Sequence, residues 1–293
     1  MIDTSMDSLP RITVVTPSYN QAQFLEETIL SVLGQNYPNL EYMVLDGGST
    51  DGSANIIRKY ENHLAYWVSA KDGGQSAAIN TGFARATGDI LCWLNSDDTY
   101  LPGALKHVAS VLKAGEPQIL FGNCFCYVDG EGAAWGSDVV RESEKYDLRL
   151  FDYVQQPSTF WTREAWLRTG LLDKSLTYAF DWEWFIRAKK GGVLFKPCNR
   201  YLSVYRIHKD HKTATGGSLR LNEVAVVYRR HAGHEYEELF YLCRHSKPQI
   251  RLLKKWLRRF RFGRLESLFL RVFFPRLFGR FPAHEVFNVL DMG

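Results

Sequence analysis

Four times in the first hundred residues, a short apolar run ends in a polar turn, and this alternation most limits what the chain can fold into. Arg11–Thr16 is β-branched and stops at Pro17. Asn20 reads as the N-cap of a helix in which Leu25, Ile29, Val32 and Leu33 recur at helical spacing. Asn39–Leu45 is the next strand and runs into Asp46-Gly-Gly-Ser-Thr-Asp-Gly52, with Ser53–Tyr60 as the following helix. Leu64–Ser69 runs into Lys71-Asp-Gly-Gly-Gln-Ser76 and a helix over Ala77–Ala86. Ile90–Leu94, apolar throughout, runs into Asn95-Ser-Asp-Asp98. Strands alternating with helices in this way predict an α/β fold with a Rossmann-like, mostly parallel sheet and helices on both faces. Right-handed crossovers would bring the four polar turns to one sheet edge, where ligands of open α/β sheets sit.

Asp97 and Asp98 are adjacent carboxylates at the end of a buried strand, a place suited to a hard divalent cation that also draws on substrate phosphates. The plainer alternative is an acid pair favoured by a helix N-terminus beginning near Thr99. No G-x-G-x-x-G follows the first strand, which argues against a dinucleotide dehydrogenase, and no G-x-x-x-x-G-K-[ST] loop is present. Further on, Gln118–Val128 is strand-like, Arg163–Gly170 reads as a short helix closed by glycine, and Asp181 and Glu183 stand at the start of another helix.

Thr16-Pro-Ser-Tyr-Asn20, Asp46-Gly-Gly-Ser-Thr-Asp-Gly52, Asp72-Gly-Gly-Gln-Ser76 with Asn80-Thr-Gly82, and Leu94-Asn-Ser-Asp-Asp98 together resemble the family 2 glycosyltransferases of GT-A fold, in order and in spacing. The resemblance covers roughly Arg11 to Thr213. It implies that Thr16, Pro17 and Tyr19 lie against the nucleotide of a sugar donor, Asp46 in the nucleoside pocket, and Asp72 and Asn80 near the donor. Asp98, the last acid of a D-x-D-like motif, is implied to bind Mg²⁺ or Mn²⁺ at the diphosphate, with Asp97 near ribose or metal. Where the family commonly has an acid pair, this chain has Asp46-Gly47, which leaves the donor nucleoside open. Asp181 is implied as the catalytic base, although Phe180 stands where a glutamate is common; the bland reading of Asp181 is a helix cap. Tyr205-Arg-Ile-His-Lys-Asp-His-Lys-Thr213 resembles the family's R-x-H…T element. It implies Arg206 or Lys212 at the leaving group and His208 on the donor side as a further metal ligand, with His211 left unassigned. The Q-x-x-R-W signature of processive members is absent, so one sugar per encounter is expected. The alternatives are a nucleotidyltransferase on a similar sheet, and a non-catalytic sugar-nucleotide-binding or membrane scaffold protein.

The charge is unevenly distributed. Tyr241 to Arg280 carries twelve Lys/Arg against one acid, Glu266, so the rest of a chain of net charge +4 is acidic. This divides the chain into a catalytic domain, 1–213, and a helical extension, 214–293. Glu235–Arg244 and the stretch opened by Pro248 read as separate helices. In the latter, Ile250, Leu253, Trp256, Leu257 and Phe260 form one face, with Arg251, Lys254, Lys255, Arg258 and Arg261 opposite. The pattern resumes after Gly263. Basic residues opposite Trp, Phe and Leu describe an interfacial helix on an anionic membrane; an amphipathic helix packed on the body is the alternative. Nucleic acid fits less well, because the aromatics are not interleaved with the cations as stacking platforms. Met1–Pro10 is polar and acidic, unlike a signal peptide, and five cysteines without metal spacing suit reduced thiols. The acceptor is expected to be a glycan or a lipid-linked glycan, and the location cytoplasmic, at the inner face of the membrane.

Overall fold

The computed structural model describes residues 9–209, 212, 216–260 and 265–292. His211, Thr213, Arg261 and Gly263 lie outside the described residues, as does the side chain of Arg258. The chain divides into two compact units, one within 1–144 and 154–215, the other within 145–153 and 216–293. The second unit therefore takes in a short segment from the middle of the chain as well as the C-terminal helices.

The first unit is built on β1 (Ile12–Ser18), α1 (Ala22–Leu33), β2 (Leu40–Asp46), α2 (Ser53–Lys59), β3 (Tyr66–Ser69), α3 (Gln75–Arg85) and β4 (Ile90–Trp93). These strands pair in the parallel order β3-β2-β1-β4, with Ser18 beside Asp46 and Asp46 beside Ser69 in register. All seven residues of β1 are buried, as expected of a strand covered on both faces. Ile12, Val14, Val44, Ile90, Cys92 and Leu94 share one core with Leu25, Ile29 and Val32 of α1.

Beyond β4 the simple repeat ends. The turn after β4 leads into a two-residue strand, β5 (Thr99–Tyr100), before α4 (Ala104–Val111) and the long β6 (Gln118–Val128). β7 (Ala134–Gly136), α5 (Val139–Lys145), β8 (Thr159–Thr162), α6 (Arg163–Thr169), α7 (Phe180–Lys190) and β9 (Leu194–Ile207) complete it. The nine-stranded sheet continues β4-β8-β6-β9-β5, with β7 on β6. β8 is antiparallel to both neighbours and β9 parallel to β6. β8 brings Trp161 against Trp93 and Trp184, ring centroids 5.1 and 5.0 Å apart, and Phe83 meets Trp166 at 4.7 Å. Such pairs add about 0.5–1.5 kcal/mol each beyond area burial, and this cluster fixes α7 against the end of the parallel strands.

One local expectation is corrected. Asn20 is not a helix cap: it adopts φ 52° and its Oδ1 accepts from Thr50 N–H, while Asp51 accepts the Ala22 N–H at the start of α1. A carboxylate from the neighbouring turn therefore does the capping.

The second unit contains α8 (Gly217–His231), α9 (His234–Arg259), α10 (Glu266–Phe273), α11 (Pro275–Phe278) and α12 (Ala283–Met292). The two helices expected either side of Pro248 are one helix, α9, with Pro248 inside it. An interior proline costs about 3 kcal/mol. Leu239, Phe240, Cys243, Ile250 and Leu257 are buried along that helix, at about 1.5–3 kcal/mol for each large side chain, which outweighs the defect. The same burial splits the apolar face expected of this segment: Ile250 and Leu257 pack inward, whereas Trp256 and Phe260 remain exposed. Lys254 leaves the cationic face to pair with Glu266 at 3.2 Å and lie over Phe287. Among the described residues no helix is long and apolar enough to cross a membrane, and all five cysteines are free thiols.

Candidate active site

The turn after β4 is the centre of a hydrogen-bonded polar network. Asn95 Nδ2 donates to Asp98 Oδ2 at 3.3 Å and to Gln156 Oε1 at 3.1 Å. Gln75 donates to Asn95 Oδ1 at 2.7 Å, and Lys212 donates to Gln75 at 2.5 Å. Gln156 is itself held by the carbonyl of Trp93. One network thus joins the ends of β4, α3 and the segment before β8 to Lys212 beyond β9.

Asp98 is buried, and its Oδ1 accepts the Arg206 N–H at 3.1 Å. Burial, and then the adjacent charge of Asp97, push its carboxyl well above the usual range, against the pull of Arg206 and Asn95. Asp97 meets His208 Nε2 at 3.2 Å, so the imidazole expected on the donor side lies against the acid pair. Arg206 donates through Nε to the Asp97 carbonyl and through Nη2 to Glu27, and its guanidinium lies over Phe24. Phe24 also packs on His208, centroids 4.5 Å apart. Arg206 and His208 at the end of β9 are thereby closed onto the acid pair and onto α1.

Among the described residues, no three or more His, Cys, Asp or Glu side chains converge on a ready-made metal cage. The donor set still fits a hard cation that takes one or two carboxylates and completes its shell from phosphate and water. Burial and the neighbouring Asp97 disfavour the ionised form of Asp98, and a dication held there would favour it.

The other expected donor-side residues divide into two groups. Thr16 is buried and shares a 3.1 Å hydrogen bond with Tyr42, and Pro17 lies buried in β1. Asp46 is buried and accepts from Ser49 N–H at 2.9 Å, from the Ser49 hydroxyl, and from Ser69 Oγ at 2.6 Å. Asn80 exchanges two 3.0 Å hydrogen bonds with the backbone of Leu172. These side chains build the walls. Tyr19, by contrast, is 63% exposed, and Asp72 is exposed with one oxygen on the Gly74 N–H. A Cβ at Gly47 would stand 3.3 Å from both Asp72 carboxylate oxygens and from Tyr19 Cδ2. The space that an acid at position 47 would occupy is thus bordered by Asp72. Beside it, the Ser18 hydroxyl is buried without a partner at the end of β1.

Asp181 is the second residue of α7, half-buried, and Oδ1 accepts from Trp182 N–H at 2.8 Å. Ala179, the residue before the helix, has no side-chain acceptor, and Asp181 takes one of the unpaired N–H groups of the first turn. Phe180 packs on Trp93 at 6.1 Å and lies beneath Lys212 Nζ at 5.3 Å, which brings the start of α7 to the polar network. Glu183 is engaged otherwise, gripped by Arg187 at 2.9 Å while that guanidinium also holds the Thr169 and Leu171 carbonyls.

The sequence pointed neither to Gln156 as a hub nor to Glu27 and Asp129 as partners of Arg206. Glu27 and Arg206 are 179 positions apart, and neither periodicity nor motif links them. Gln156 had a weak signal, a glutamine placed just before Pro157 near an otherwise apolar strand.

Comparison with known proteins decides the family. The family model described as Glycosyl transferase family 2 matches residues 13–175, more than half of the chain. The chain belongs to glycosyl transferase family 2. An uncharacterised glycosyltransferase of Rickettsia typhi is 26% identical over 261 residues, covering 84% of this chain and 76% of that one. The solved structure of S. aureus TarS 1–349 in complex with UDP-GlcNAc superposes with a TM-score of 0.59 at 17% identity, covering 96% of this chain and 90% of that one. A mannosyltransferase from Pyrobaculum calidifontis, solved with GDP-Man and Mn²⁺, gives a TM-score of 0.54 at 20% identity, covering 78% and 64%. This family 2 chain therefore shares their fold.

Proposed function

We propose that this glycosyltransferase moves a single sugar from a nucleotide-sugar donor to an acceptor hydroxyl with inversion at the anomeric carbon. The observation that carries the reading is the closure of Arg206 and His208 onto Asp97 and Asp98 at the end of the parallel strands. The donor nucleoside lies over the Tyr19, Gly47 and Asp72 surface, and its diphosphate faces the acid pair. Asp98 and Asp97, with His208 beside them, would hold Mn²⁺ or Mg²⁺, which would supply positive charge to the departing diphosphate. Asp181 takes the proton of the acceptor hydroxyl as that oxygen attacks the anomeric carbon. The bond from that carbon to the diphosphate breaks, and the nucleoside diphosphate leaves. A positioned base of this kind contributes roughly 10²–10⁴-fold.

The catalytic domain is assigned to 1–213 and the extension, 214–293, to membrane association. The acceptor is a lipid-linked glycan of bacterial surface polysaccharide synthesis, and the enzyme is peripheral on the cytoplasmic face of the membrane. Support comes from the basic, aromatic C-terminal helices and from the family.

The test is a thermal-shift panel with Mn²⁺ and UDP-, GDP-, dTDP- and CMP-sugars. A ligand at a hundredfold excess over Kd stabilises by about 2.7 kcal/mol. A metal-dependent shift with one nucleoside class is expected, and it would also identify the base that Gly47 and Asp72 accept. No shift with any donor, with or without metal, would overturn the reading in favour of a scaffold.

A further inference from the structure

The outer side of α9 carries two adjoining rows. Arg244, Lys247, Arg251 and Lys255 recur three or four residues apart, so they share one side of the helix. With Pro248 and Leu252 they line an open groove of about 490 Å³. Arg244, Arg251 and Lys255 are exposed and form no ion pair with a carboxylate among the described residues. Lys247 is drawn below the usual lysine range by burial and then by the charge of Arg251, against the pull of Asp291. The groove is thus lined by four cations and no acid.

Leu252 lines that groove and also begins the second row. It is followed one and two turns later by Trp256 and Phe260, all three exposed. Trp256 packs on Phe260 at 5.1 Å and on Phe269 of α10 at 6.4 Å, and Phe269 stacks on Phe273 at 6.1 Å. The aromatic rings therefore form one continuous ladder across two helices, ending on Phe273, which is 60% exposed. A cationic groove beside an exposed aromatic ladder matches the two layers of a bilayer surface, anionic headgroup and acyl boundary.

We propose that this face docks the protein on an anionic lipid bilayer, with headgroup phosphates in the Arg244–Lys255 groove and Leu252, Trp256, Phe260 and Phe273 in the acyl boundary. This keeps Trp256 and Phe260 of the face periodicity suggested and puts Leu252 in place of Ile250 and Leu257, which are buried within the helical unit. It sharpens the membrane location proposed above and does not depend on the donor chemistry.

The experiment is co-sedimentation of the full chain with phosphatidylcholine vesicles and with mixed phosphatidylcholine–phosphatidylglycerol vesicles. The wild type is expected to pellet with the anionic vesicles only. Arg244→Gln/Arg251→Gln/Lys255→Gln should weaken this roughly a hundredfold, at about fivefold per cation. Trp256→Ala/Phe260→Ala should weaken it about tenfold per ring and leave the remainder more sensitive to salt. Removing equal charge elsewhere with Lys106→Gln/Lys113→Gln/Lys174→Gln should change binding little. The donor-induced thermal shift should be the same in every variant, so a lost donor site and a lost membrane face are read separately. Equal binding to neutral vesicles, wild-type binding by the groove variant, or no binding to any vesicle would overturn the proposal. Competition by millimolar inorganic phosphate would do so too, by making the groove a free-phosphate site.

Discussion

Two acidic turns lie at the same edge of the parallel sheet, and the chain uses their carboxylates in opposite ways. In the turn after β2, Asp46 and Asp51 are engaged by the protein itself. Asp46 accepts from Ser49 and Ser69, while Asp51 accepts from Ala22 and Ser53. Burial raises the Asp51 carboxyl, but those hydrogen bonds outweigh it and hold it below the ordinary range. In the turn after β4, Asp98 is buried beside a like charge and pushed well above that range. The first turn is held together by the hydrogen bonds its carboxylates accept. The second holds an acid whose ionised form the folded protein disfavours until positive charge arrives, the arrangement expected where function overrides stability.

The sharpest way to break this comparison is one substitution made in both turns. Asp98→Asn should lower kcat/KM roughly a hundredfold or more, as when a transition-state charge loses its stabiliser. It should leave Tm unchanged or higher in the absence of a divalent cation. Asp46→Asn should instead destabilise by about 2–4 kcal/mol, since hydrogen bonds to a buried charge are worth about 1.5–3 kcal/mol each. Denaturant unfolding of both variants with EDTA present reads the contrast, and equal destabilisation would remove it.

A double-mutant cycle sharpens the role of the gap at Gly47. Gly47→Asp sets a carboxylate against those of Asp72, so it should weaken donor affinity. Asp72→Asn in that background should recover part of the loss, with a coupling of about 0.5–3 kcal/mol. Additive effects, measured by donor titration, would separate the two positions.

Smaller effects come from α1 and from pH. Asp51→Ala removes the acceptor of the Ala22 N–H and should cost about 1 kcal/mol. The two turns should also give opposite pH slopes. The Asp51 contribution is complete above the ordinary aspartate range and is lost as pH falls through its lowered folded value. For Asp98 the folded value is raised, so its contribution is complete below the ordinary range and is lost as pH rises through the folded value. Thermal melts of the cation-free protein across pH should show the second slope vanish in Asp98→Asn; its persistence would assign it to another group.

Much of this was legible in the sequence because it depends on local chemistry. The positions of β1 to β4, their parallel sense and the turns at one edge follow from apolar runs and period-3.6 patterns punctuated by glycine and proline. Asp97 and Asp98 were legible at a strand end, while Arg206 and His208 joined them only through the resemblance to the family's R-x-H…T element. What the sequence could not show is which polar groups consume one another. Asp46 and Asp72 stand in similar glycine-rich turns, yet one is buried under three donors and the other is exposed. Asn80 looks like a ligand contact and is instead fastened to the Leu172 backbone.

The chain's periodicity by itself determined an α/β unit with a ligand edge and a basic helical extension, since those patterns act within a few residues along the backbone. Only the tertiary structure decided that Asp97 meets His208, that Arg206 reaches Glu27, and that Ile250 and Leu257 turn inward while Trp256 and Phe260 stay out. Those outcomes depend on desolvation and on partners far apart in sequence, which no local pattern encodes.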